Sequence, residues 1–160
     1  MHIIEGSQSA AGVRFAIVVS KYNDFVTERL QTGALAALAA AGVSSADITV
    51  VRVPGAFEIP IAAQHAARSG RYDAVVCLGC LIRGATPHFE YIASAVSNGL
   101  TAAAGATGVP MSFGVLTTNS VEEALQRAGD GLSNKGWEAA AAAIEMAAVV
   151  AQLTRASSQA

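Results

Sequence analysis

Apolar residues along this chain gather into two kinds of run. Four are short, nearly unbroken and rich in Val, Ile, Leu or Phe: RFAIVVS (14–20), ITVVRV (48–53), AVVCLGCLI (74–82) and MSFGVLT (111–117). Runs of this length and composition predict strands, and the lack of polar alternation predicts strands covered on both faces. Five longer stretches are spaced as helices: 24–42, 58–70, 88–105, 120–129 and 134–156. Their ends are punctuated as helices require, with Gly42, Gly70 and Gly129 as C-terminal stops and Asn119 or Ser120 as an N-cap. A strand, helix, strand rhythm implies parallel pairing through right-handed crossovers. The expected fold class is α/β, a three-layer sandwich with a mainly parallel four-stranded sheet and helices on both faces.

The final stretch adds a constraint. AAAAAIEMAAVVAQL (139–153) is apolar almost all the way round, so its helix is expected to be packed on more than one side. Glu145 interrupts it, and the run falls short of the ~20 residues that a membrane span needs. No membrane segment is expected. The start, MHIIEGSQS, lacks the basic and apolar regions of a secretory signal, so the cytoplasm is the expected compartment.

Composition changes the picture in one respect. Charged residues make up 14% of the 160-residue chain and the net charge is −2, against roughly 25% charged residues in an average soluble protein. The chain has little charge with which to cover a free surface, which points to surface buried against other copies. A plain alanine-rich monomer is the alternative. Neither sign of charge dominates, so nucleic acid and anionic membrane are not expected partners. A length of 160 residues is that of one domain. Cys77 and Cys80 mimic a redox or zinc clip, but side chains three apart on a strand point to opposite faces, so both are expected to be reduced core residues.

In open parallel sheets ligands sit outside the carboxyl ends of the strands. Those ends here read SKYN (20–23), PGAFE (54–58), LIRGATPH (81–88) and TTNS (117–120). Tyr22 and Asn23 put an aromatic ring beside an amide, which suits a flat heterocycle, although a tyrosine there also packs. Phe57 adds a second ring, and Glu58 is either an acceptor for hydroxyls and amides or a carboxylate favoured by a helix N-terminus. The Gly84-Ala85-Thr86 turn before Pro87 opens a helix with backbone N–H groups and a hydroxyl, a place for an anion such as phosphate. Arg83 either adds charge there or is held in a structural ion pair. His88 follows on the first helical turn, where an imidazole either caps the helix or exchanges protons near neutral pH. His2 and His65 read as bland. Phe113 lies at the wrong end of its strand for this site, and Arg127 and Lys135 lie around the helix-to-helix connection AGDGLSNKG, so a neighbouring copy is the expected user of all three.

With VPGAFEIP, LGCLIRGATPHFEY, SFGVLTT, EALQRAG and NKG in this order, the sequence resembles lumazine synthases, the penultimate enzymes of riboflavin biosynthesis. The likeness runs from IIEG through the last helix and implies a flavodoxin-like sandwich. It implies condensation of 5-amino-6-(D-ribitylamino)uracil with 3,4-dihydroxy-2-butanone 4-phosphate to 6,7-dimethyl-8-ribityllumazine, with phosphate and water released and no cofactor or metal. By the same likeness Tyr22, where the family commonly has Phe or Trp, stacks on the pyrimidine. Ala56, Phe57 and Glu58 hold the ribityl chain, and Cys80, Leu81 and Ile82 meet the uracil through backbone atoms. Ala85 and Thr86 match the phosphate turn and His88 the proton donor and acceptor. Phe113, Arg127 and Lys135 match the adjacent subunit's contribution, Arg127 toward phosphate and Lys135 near the uracil. The resemblance further implies a homopentamer whose N-terminal arm, residues 1–12, pairs with a neighbour. The short AGDGLSNKG connection looks like that of relatives forming a sixty-subunit shell, although Gly131 stands where some relatives have lysine. Rival readings are the archaeal type of riboflavin synthase, which shares the fold, and a binding or shell protein without catalysis.

Overall fold

The computed structural model describes residues 1–158. Four strands, β1 (Phe15–Ser20), β2 (Ile48–Val53), β3 (Ala74–Ile82) and β4 (Met111–Thr118), form one sheet in the order β2-β1-β3-β4. All three pairings are parallel, so "mainly parallel" understates the sheet. The helices are α1 (Asp24–Ala40), α2 (Ile59–Arg68), α3 (His88–Thr107), α4 (Val121–Arg127) and α5 (Lys135–Ser158).

Alternation along the inner strands sorts side chains into two cores. Phe15, Ile17 and Val19 of β1 with Val76 and Leu78 of β3 pack on α1 and α5, whereas Ala16, Val18, Val75 and Cys77 face α2 and α3. This is the expected sandwich with helices on both faces. Expected burial holds in full for β1, whose six residues are all buried, and for β3 up to its last two residues. It fails for β2, of whose residues only Val53 is buried, and in part for β4, where five of eight residues are buried and Phe113 and Thr117 are exposed, because an edge strand has a strand neighbour on one side only. Val50 and Phe113 are exposed there.

Helix ends agree with the sequence to within a few residues. Gly42 and Gly70 take positive φ of 85° and 69° at their stops, but after α4 the left-handed position falls at Gly131 (φ 84°) and not at Gly129. Ser120 is the N-cap of α4, accepting from the Glu123 N–H at 3.2 Å, while the Asn119 N–H donates to the Glu123 carboxylate at 2.9 Å. The sequence expectation for the last helix needs correcting twice. At 24 residues α5 is long and apolar enough to cross a bilayer by length and composition. Its packing says otherwise: Ala139, Ala140, Ala143, Ile144 and Ala147 form a buried stripe in the core beside α1 and the sheet, and Glu138, Glu145 and Arg155 lie along the same helix. Nor is it packed on more than one side within one chain, since Met146 and Leu153 stay exposed.

Gly136 explains how closely α5 meets α1, because a Cβ there would run into the backbone carbonyl of Leu30. Asn134 locks that approach. Its Oδ1 accepts from the N–H groups of Gly136 (2.8 Å) and Trp137 (3.2 Å), and its amide donates to the carbonyls of Arg29 (3.2 Å) and Gly129 (2.8 Å). The N-terminal arm forms no strand within this chain. It runs along α5, where the Glu5 carbonyl accepts from Gln152 at 2.8 Å, and rejoins the core where the Ala10 N–H meets the Ala41 carbonyl at 2.8 Å.

Candidate active site

Backbone pairing continues past the strand ends and sets the loops side by side. Lys21 N–H donates to the Val53 carbonyl (2.8 Å), Tyr22 N–H to Pro54 (3.1 Å) and Arg83 N–H to Thr118 (2.8 Å). The loops after β1, β2 and β3 thereby enclose a cleft of about 550 Å³ at the carboxyl ends of the strands. Tyr22, Ala56, Phe57, Glu58, Leu81, Ile82, Thr86 and His88 all line it. The sequence separations among these residues are large, and only the crossover topology brings them together.

Each wall has a local cause. Asn23 takes a left-handed conformation (φ 60°) that breaks the chain between β1 and α1, and its side-chain amide reaches across to the Cys80 carbonyl at 2.9 Å. That bond fixes the β1 loop against the end of β3 and leaves Tyr22 72% exposed over the cleft. Glu58 sits in a single 3-10 turn, Ala56–Glu58, leading into α2; its Oε2 accepts from the Gly55 N–H at 3.0 Å. The carboxylate thus caps its own turn, and Glu58 also lines the cleft. His88 is the first residue of the 20-residue α3, directly after Pro87, so the positive end of that helix dipole faces the Gly84–Thr86 turn.

Two candidate residues stand apart from the lining. Ala85 is in the exposed turn but does not line the cleft, and Cys80 offers only its backbone because its side chain is buried in the α1 and α5 core. Cys77 is buried in the opposite core, so the two sulfurs are indeed on opposite faces; burial pushes the Cys77 thiol up to about 12 and the Cys80 thiol to about 11. Among the described residues no three His, Cys, Asp or Glu side chains gather as a metal site would need.

Phe113, Arg127 and Lys135 are elsewhere, as their positions in the sequence require. All three line a second groove of about 610 Å³ between edge strand β4 and α5, which shares no residue with the first cleft. Phe113 is 48% exposed, and Lys135 Nζ pairs with Glu138 at 2.7 Å.

The sequence missed Phe89 and Ile92, which also line the cleft. Ile92 stands one helical turn beyond His88, an i, i+4 relation that could have identified it. Arg83, left open between anion binding and an ion pair, is engaged with Glu90 and with Asn119 Oδ1 at 3.0 Å.

A parallel α/β sheet whose strand ends hold rings, a carboxylate, a hydroxyl-bearing turn and an imidazole belongs to the class of small-molecule enzymes that work at the carboxyl edge of the sheet. The model of one family, described as 6,7-dimethyl-8-ribityllumazine synthase, matches residues 12–151. A 6,7-dimethyl-8-ribityllumazine synthase of Syntrophus aciditrophicus (strain SB) is 52% identical over 151 residues, spanning 94% of this chain and 98% of the relative. One from Desulfatibacillum aliphaticivorans is 50% identical over 144 residues, spanning 90% of this chain and 93% of the relative. The chain belongs to the 6,7-dimethyl-8-ribityllumazine synthase family, transferases of riboflavin biosynthesis.

Proposed function

We propose that the cleft at the strand ends binds 5-amino-6-(D-ribitylamino)uracil beside 3,4-dihydroxy-2-butanone 4-phosphate, and that His88 moves the protons of their condensation to 6,7-dimethyl-8-ribityllumazine. The observation that carries this reading is the convergence of Tyr22, Phe57, Glu58, Thr86 and His88 on one cleft. Tyr22 stacks on the pyrimidine, the 56–58 turn holds the ribityl hydroxyls, and the backbone of 80–82 meets the uracil edge. Ala85 and Thr86 receive the phosphate at the start of α3.

The 5-amino group of the uracil attacks the ketone and the carbinolamine loses water to an imine; a proton then leaves the adjacent carbon as phosphate is eliminated, the resulting enol tautomerises to a ketone, and the ribitylamino nitrogen attacks that ketone and closes the ring with loss of a second water. Every step moves a proton near neutral pH, which a positioned imidazole accelerates by roughly 10²–10⁴-fold. Holding both substrates in one cleft removes translational freedom and contributes up to ~7–11 kcal/mol in well-oriented cases.

A neighbouring copy completes the site. Its Phe113 covers the pyrimidine side, its Arg127 holds phosphate first as a handle and later as a leaving group, and its Lys135 approaches the uracil. The apolar groove beside β4, the exposed Met146 and Leu153 of α5, and the low charge of the chain support burial between subunits. The assembly is a homopentamer, with the arm ahead of Glu5, including the exposed Ile3, reaching the next subunit, and pentamers close into a sixty-subunit shell. The cytoplasm, where Cys77 and Cys80 stay reduced, is the compartment.

The test mixes purified protein with both substrates, follows the lumazine product by absorbance and measures particle mass by light scattering. His88→Ala is expected to slow turnover and leave uracil binding largely intact. Lost binding with unchanged turnover, or full activity from a monomer, would overturn the assignment.

A further inference from the structure

We infer that Arg83 is a positioning residue that closes the Gly84–Pro87 turn by gripping both of its ends, and through that turn aims Thr86 and His88 into the cleft. The inference rests on the site reading given above. It begins with what the turn lacks: among the described residues Gly84, Ala85 and Thr86 are exposed and make no hydrogen bond. No side chain packs near Gly84 either, since a Cβ there would meet nothing within 4 Å. The turn holds itself by nothing internal, so its shape depends on its ends.

Arg83 controls both ends. On the strand side its N–H donates to the Thr118 carbonyl at 2.8 Å and its Nε donates to Asn119 Oδ1 at 3.0 Å, which anchors it to the end of β4. On the helix side its guanidinium pairs with the Glu90 carboxylate and lies over the Phe89 ring, 4.5 Å from the centroid. Phe89 and Glu90 directly follow His88 on the first turn of α3. One side chain thus spans the seven-residue separation that the turn itself leaves slack. The planar fork does what an ammonium cannot, donating in two directions while stacking on a ring. Nor does Arg83 line the cleft, so its charge is committed to Glu90 and Asn119.

Exposed ion pairs contribute little to stability, and Arg83 and Glu90 are about half exposed. Breaking this one should therefore leave the fold standing and loosen the turn. A catalytic group displaced by ~1 Å loses about 10²-fold in rate. Arg83→Met and Glu90→Gln are each expected to lower kcat/KM for the butanone phosphate roughly 10-fold or more, with the melting temperature and uracil affinity nearly unchanged. The double variant should be no worse than either single one, because both break one clamp. Arg83→Lys should fail to rescue.

Glu90→Gln separates this role from direct phosphate binding by sign. If Arg83 held phosphate, freeing it from Glu90 would lower the KM and tighten inhibition by inorganic phosphate, and that result overturns the clamp. Wild-type kinetics in Arg83→Met also overturn it, provided that His88→Ala is slow in the same assay. If His88→Ala is fast as well, the site reading fails with it. Asn119→Ala, which removes only the strand-side side-chain bond, serves if Arg83→Met does not fold and should show a fall in kcat/KM of the same kind; unchanged kinetics would overturn the clamp.

Discussion

Asn134→Ala should be among the most costly single-atom-group deletions in the chain, although nothing about a polar residue in a loop suggests it. The side chain is 4% exposed and makes four hydrogen bonds, two accepted at the start of α5 and two donated to α1 and to the connection after α4. Losing the cap costs about 1 kcal/mol. Each donated bond adds about 1 kcal/mol net, so the sum is about 3 kcal/mol. Asn134→Ser keeps a capping oxygen and loses the two donors, which predicts about 2 kcal/mol. The only tryptophan, Trp137, lies in the first turn of α5 and its backbone N–H donates to Asn134 Oδ1, so its fluorescence reports this junction directly during urea unfolding. Protein concentration must be held constant, because the proposed association of subunits would add to apparent stability. An Asn134→Ala loss below about 1 kcal/mol would refute the bond-by-bond reasoning. A Ser variant as damaged as Ala would show that the cap contributes nothing.

Other outcomes follow from the same geometry. Native Cys77 and Cys80 should resist alkylation near pH 8, and both should react once the protein is unfolded; rapid native labelling would contradict their burial. Their thiols are raised in the fold, so the stability this burial favours is complete below the ordinary thiol pKa and declines as pH rises through about 9 toward 11 and 12. A melting temperature that climbs over that interval would contradict the sign. Glu58→Gln keeps an acceptor for the Gly55 N–H and removes the charge, so calorimetry should find ribitylaminouracil binding weaker by roughly tenfold. Unchanged affinity would remove Glu58 from the ribityl site.

The sheet was legible because the inner strands, buried on both faces, have no room for polar residues: FAIVVS and AVVCLGC read as strands without any tertiary information. The edge strands were legible as strands but not as edges, since the same apolar residues serve a face that another subunit can cover. That His88, Thr86 and Glu58 line one cleft was legible because they follow strand ends, where a parallel sheet places ligands. Phe113, Arg127 and Lys135 were legible as misfits, and the structure gathers them in a separate groove. What the sequence could not show was long-range and singular. Asn119, the partner of Arg83 just past the end of β4, is 36 residues away, and Asn134 reaches 105 residues back to Arg29. Neither spacing follows a helical or strand period, so no local pattern encodes it. The sequence under-read the apolar length of α5, taking 139–153 as too short to span a bilayer, whereas the whole 24-residue helix is long and apolar enough and still packs its alanine stripe in the core.

The central claim is that the cleft of one subunit works with the β4 groove of the next, and subunit mixing tests it most directly. His88→Ala and Arg127→Ala should each be nearly inactive alone. Co-refolded in equal amounts, they should recover activity, because a ring of mixed subunits contains junctions that join an intact His88 cleft to an intact Arg127 groove. Mixtures that remain at the average of the two single variants would contradict a site shared between neighbours.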